Sequence, residues 1–129
     1  MDEIDQAIEN LKYFEAQLPL TVQKFGDDKA LEFLNLVMTR TPVDTGKLRS
    51  SWKCNSFGSS GNVYLDIAND TEYASWVEFG HNVVSHGKKT GTHVPARYMM
   101  TKSIADIVEN SQSDLDLRIE QLLRRCGIV

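Results

Sequence analysis

Asp44-Thr45-Gly46 is the tripeptide that carries the reacting carboxylate of aspartic proteases, in which two such aspartates share one proton. A chain of 129 residues also has the size of one subunit of a dimeric protease. The flanks point elsewhere. That chemistry needs a tight loop after an apolar strand, whereas Met38-Thr39-Arg40-Thr41-Pro42-Val43 reads as the end of a helix. Lys47-Leu48-Arg49 follows where a protease has a small apolar residue, and no later apolar-Gly-(Arg/Asn/Asp) element supports the site. The more economical reading is structural: Asp44 or Thr45 caps a short turn, and Gly46 takes a backbone conformation that other residues resist.

His81, His86 and His93 raise a metal question, but their gaps are long and no nearby Cys or carboxylate completes a ligand set. Lys88 and Lys89, with His86 and Arg97, could meet phosphate or an acidic partner; they mark a candidate DNA- or partner-facing loop. Ser50 and Ser51 have no adjacent base and no nucleophile-elbow pattern, and no glycine-rich phosphate loop occurs. The reading is therefore non-enzymatic, with no catalytic residue, no cofactor and no metal. Trp52, Tyr73, Trp76 and Phe79 read as core and sheet-packing aromatics.

The elements that must position these residues follow from periodicity. Ile4, Ala7, Ile8, Leu11, Phe14 and Leu18 share one helical face, with Asp2 as N-cap and Pro19 ending or kinking the helix. A second helical pattern runs from about Thr21 to Arg40 through Val22, Phe25, Leu31, Leu34 and Val37; Gly26-Asp27-Asp28 weakens its middle. Pro42 closes it, because the residue before proline leaves the helical region. Residues 51–57 and 63–68 read as a β-hairpin: Val63, Leu65 and Ile67 alternate with Tyr64, Asp66 and Ala68. Residues 73–79 suit a short helix capped by Gly80. Residues 81–95 show little hydrophobic pattern and read as a mobile, exposed loop. Arg97 to Arg125 is a last helix, with a candidate break at 110–113.

The expected fold class is α+β: an antiparallel sheet built on a hairpin, packed against N-terminal helices and a long C-terminal helix. Residues 1–129 form one domain, divided into a helical arm at 1–40, a motif-bearing centre at 41–102 and a C-terminal helix at 103–129. The net charge of −4 argues against a general nucleic-acid binder. The charge is uneven, however: residues 41–102 hold seven bases and five acids between two acidic outer segments. Cys54 and Cys126 stand in no metal-type spacing and read as free thiols of a reducing cytosol. The acidic, polar N-terminus does not resemble a signal peptide, and no apolar run approaches a membrane span.

Three segments taken together resemble the tail-component family of lambdoid tailed phages, the gene-product-ten-like family. They are Thr41-Pro-Val-Asp-Thr-Gly-Lys-Leu-Arg-Ser-Ser-Trp, then Tyr73-Ala-Ser-Trp-Val-Glu-Phe-Gly-His, then Val94-Pro-Ala-Arg-Tyr-Met-Met. The resemblance spans about residues 20 to 108 and places motif residues at Pro42, Asp44, Thr45, Gly46, Leu48, Arg49, Ser51, Tyr73, Ala74, Glu78, Gly80, Pro95 and Tyr98. It implies a minor structural protein of the virion, made in the bacterial host cytoplasm and placed at the neck between head and tail. The implied partners are further copies in a ring, often hexameric, though a monomer in free solution also fits. A head connector and tail terminator or tube proteins complete the set, with transient contact to DNA passing the channel. In this reading Arg49 pairs with an acid such as Glu78. The rival readings are a dimeric aspartic protease using Asp44 and a small nucleic-acid-binding module working through Lys88, Lys89 and Arg97.

Overall fold

The computed structural model describes residues 2–43, 46–59 and 62–128. Helix α1 (Glu3–Arg40) opens the chain as one element of 38 residues, about 57 Å long at 1.5 Å per residue. Asp2 caps it, accepting a hydrogen bond from the Asp5 backbone N–H at 2.8 Å. The expected end or kink at Pro19 does not divide the helix, and neither does Gly26. Packing overrides propensity at Gly26, where the first hairpin lies against the helix. A Cβ on Gly26 would stand 2.8 Å from Val63 Cγ1 and 3.2 Å from Ser56 Cβ. The residue that weakens the helix locally is the one that lets the sheet approach it.

After α1 come a helical turn, α2 (Lys47–Ser50), and the antiparallel pair β1 (Trp52–Ser59) and β2 (Asn62–Asn69). Helix α3 (Ala74–Phe79) leads to a second antiparallel pair, β3 (His81–Ser85) and β4 (Lys88–Val94), and α4 (Met99–Arg125) ends the chain. The fold is α+β, with two separate two-stranded sheets among the described residues. Two expectations are corrected. Residues 81–95 form a hairpin and not a loop, and α4 runs unbroken through 110–113. The second hairpin escapes a periodicity search because nearly all of it is exposed, so neither face needs apolar residues. Its turn, His86-Gly87, has positive φ at both residues, as a two-residue hairpin of the type I′ class requires.

The core lies where α1, β1 and α4 meet. Ala30, Phe33 and Val37 of α1 pack with Leu48, Trp52, Cys54, Met99 and Ile107. Phe33 is wholly buried and meets Trp52 edge to face, with ring centroids 6.2 Å apart. Trp52 Nε1 donates to Thr41 Oγ1 at 2.8 Å, so the indole is both packed and satisfied. Outward on the same sheet, the cross-strand pair Phe57 and Tyr64 stack on each other and remain exposed.

Helix α4 runs antiparallel to α1. Arg40 reaches Ser103 and Asp106, Lys29 reaches Asn110 and Asp114, and Arg118 reaches Asp28. Gly127, just past the end of α4, lies beside Asn10. The first two turns of α1 therefore project beyond the end of α4, and residues 2–9 are all exposed.

Candidate functional site

Two clusters of the motif residues identified in the sequence are brought together by the fold, and both act on the backbone. The first joins the end of α1 to the first hairpin. Gly46 has φ +79°, a conformation that suits glycine, and starts the turn that places Leu48 in the core. Arg49 Nε donates to the Met38 carbonyl at 2.6 Å, which also accepts from the Thr41 N–H at 3.2 Å at the end of α1. Ser51 Oγ donates to the Lys47 carbonyl at 2.6 Å. Asn69 Nδ2 donates to the Leu48 carbonyl at 2.9 Å, and its side-chain oxygen accepts from both Thr71 N–H and Thr71 Oγ1. Pro42 is half-buried after the buried Thr41. Asp44 and Thr45, for which a capping role is expected, lie outside the described residues.

The second cluster fastens α3 to the start of α4. Glu78 is only 3% exposed, and its carboxylate accepts from Met100 N–H at 2.7 Å and from Thr101 N–H at 2.9 Å and Thr101 Oγ1 at 2.6 Å. An anion at the positive end of a helix, holding its free N–H groups, is favourable on both dipole and hydrogen-bond grounds. The backbone adds two links: Arg97 N–H to the Val77 carbonyl and Tyr98 N–H to the Glu78 carbonyl. Gly80, at φ +79°, completes the clamp, because a Cβ there would stand 2.7 Å from the Val94 carbonyl oxygen. Tyr73 and Ala74 pack on the core, while Pro95 and Tyr98 are exposed. The expected Arg49–Glu78 pair is not what these residues form. Each is engaged at its own helix end, one with the Met38 carbonyl and the other with the N-terminus of α4.

The model of a family described as "Bacteriophage HK97-gp10, putative tail-component" matches residues 5–80, more than half of the chain. The chain belongs to this family. No curated protein and no solved structure matches it significantly. The matched span holds the first cluster and Glu78 of the second. The partners of Glu78 at Met100 and Thr101 lie beyond it, and the fold brings them to the carboxylate.

The tail component also carries features that the sequence reading missed. Lys29 is 4% exposed, yet its ammonium meets Asp114 and Glu32, each at 2.8 Å, and Asn110 Oδ1 at 3.2 Å. Arg118 bridges Asp114 and Asp28, and both cations lie over the Phe25 ring. Burial pulls the Lys29 pKa down, but the hydrogen bonds that its ammonium donates to Asp114 and Glu32 outweigh it and leave it raised. Hydrogen bonds from Arg118 and Lys29 hold Asp114 below its ordinary value; Lys24 and Arg118 do the same for Asp28. The available signal was Lys29 itself, a cation four residues from both Phe25 and Phe33 on an apolar stripe.

The candidate metal and DNA residues all sit on or beside the second hairpin. His81 stacks on Trp76, with ring centroids 5.6 Å apart, and its Nδ1 is buried with no hydrogen-bond partner among the described residues. His93 Nδ1 is 3.2 Å from Asn82 Oδ1, and His86 occupies the turn. Among the described residues, no group of three or more His, Cys, Asp or Glu side chains is placed to hold a metal ion. Lys88, Lys89 and Arg97 are exposed. Trp76 and Phe79, expected in the core, are exposed as well. Cys54 and Cys126 are buried and unpaired, and burial pushes the Cys54 thiol pKa up. No helix among the described residues is long and apolar enough to cross a membrane.

Proposed function

We propose that this tail component is a non-enzymatic structural protein of the virion, acting as one unit in a ring of identical copies at the neck, where it completes the tail or joins it to the head. Its partners in this reading are further copies of itself, a head connector on one side and tail terminator or tube proteins on the other. DNA passes through the ring with at most transient contact.

The observation that carries the reading is the use made of the motif residues within a tail-component family. Glu78, Gly80, Arg49 and Leu48 hold helix ends and hairpins in place. Such residues fix the shape of a building block, and the large apolar side chains left exposed on α1, α3 and the second hairpin suit surfaces that assembly covers.

The test is genetic and morphological. Removing the chain from an assembling phage should leave filled heads and tails that fail to join or complete, visible by electron microscopy, and supplying it in trans should restore whole particles. Normal, infectious particles in its absence would overturn the proposal.

A further inference from the structure

The two ends of the molecule carry opposite charge, and each exposes apolar side chains. At one end, the projecting turns of α1 hold four acids and no base over residues 2–9. Ile4, Ile8 and Leu11 lie within a narrow arc of that helix at about 100° per residue, all exposed, with Glu3 and Asp5 to either side. At the other end, the second hairpin and the segment after it hold Lys88, Lys89 and Arg97 and no acid over residues 81–97. Here Trp76 and Phe79, three apart on α3, are exposed, as are Val84 and Tyr98. Val84 pairs with Lys89 across the hairpin, so these two side chains share one face of the ribbon.

These two surfaces cannot meet within one molecule. The hairpin adjoins the start of α4, which lies beside the end of α1, whereas the acidic tip extends past the end of α4. The length of α1, about 57 Å by its rise per residue, separates them. Complementary patches at opposite ends of one chain give a heterologous, head-to-tail contact, which generates a closed ring when the rotation closes.

We infer that the acidic, apolar tip of α1 docks on the basic, aromatic surface of α3 and the second hairpin of the next copy. The inference rests on the homo-oligomeric reading above and assigns its interface. Nucleic acid is the other occupant to consider for the basic surface. Two lysines and one arginine are few charges at an end of the molecule that also exposes Trp76, Phe79 and Val84, which suits a protein partner with apolar contacts better than a phosphate backbone.

The experiment mixes two full-length variants, Ile8→Cys and Val84→Cys, and follows disulfide formation by mass spectrometry of the linked peptides, alongside light scattering of the wild-type chain. The expected result is an Ile8→Cys to Val84→Cys link that dominates over either self-link and weakens as salt rises. Adding Lys88→Glu and Lys89→Glu to the Val84→Cys variant should cut its yield at least about tenfold. The yield should return when the Ile8→Cys variant carries Glu3→Lys and Asp5→Lys, an outcome that loss of folding would not produce. Oligomers in light scattering without the mixed link would overturn the interface and leave the homo-oligomeric reading standing. Salt-sensitive binding of duplex DNA that requires Lys88 and Lys89, with no mixed link, would give the surface to nucleic acid and overturn the inference. Monomers without a link at every concentration would count against both.

Discussion

At the scale of single residues, Glu78 and Gly80 have the sharpest consequences. Removing the Glu78 carboxylate leaves the Met100 and Thr101 N–H groups without their acceptor. Glu78→Ala should cost on the order of 1–3 kcal/mol, the range for an unsatisfied buried donor, and Glu78→Gln should cost less because it keeps an acceptor. Denaturant midpoints at constant slope measure both. Gly80→Ala must strain a positive φ and push the new methyl against the Val94 carbonyl. It should destabilise at least as much as Glu78→Ala in the same titration, and a neutral effect would show that the clamp can relax. Sequence alone marked Glu78 and Gly80 as motif residues but gave Glu78 the wrong partner. Its true partners are backbone N–H donors twenty-two and twenty-three residues away, and no side-chain pattern reveals those.

At the scale of elements, α1 shows how far local rules reach. Pro19 and Gly26 both argue for a break, and the helix nevertheless continues because α4 and the first hairpin pack along it. The two residues should then respond oppositely. Pro19→Ala removes a helix-interior proline from an exposed position and should raise stability by about 1–3 kcal/mol. Gly26→Ala gains helix propensity of about 1 kcal/mol, yet it places a methyl into Val63 and Ser56 and should be net destabilising. Thermal melts followed by circular dichroism separate the two signs. The α1–α4 seam adds a pH dependence. Asp28 and Asp114 have folded pKa values below their unfolded ones, so their contribution is fully present above about pH 4 and fades as pH falls through the folded values. Arg118→Met removes the neighbour common to both and should flatten that acid limb while leaving stability near neutrality only modestly changed. An unchanged acid limb would mean the seam does not govern acid unfolding. The first hairpin and the helical character of both long helices were legible from apolar periodicity, although α1 reads as two helices and its first apolar face, Ile4, Ile8 and Leu11, is exposed. The second hairpin was not, since its exposed ribbon leaves no alternation to detect.

At the scale of the whole molecule, the chain is a long antiparallel helix pair with a packed hairpin along its side and an exposed ribbon at one end. The chain belongs to the HK97-gp10 tail-component family, and Arg49 and Glu78 are engaged in holding helix ends in place. The class was legible from three short segments in order, whereas the complementary ends were not, because only the fold shows that α1 outruns α4 and that residues 81–95 form a ribbon. That the protein is a structural part of the particle is tested most directly by its copy number in purified particles, measured by quantitative mass spectrometry. A structural part should be present at a fixed, small number of copies per tail, consistent with one ring and retained through density-gradient purification. Absence from purified particles that are otherwise complete would contradict it.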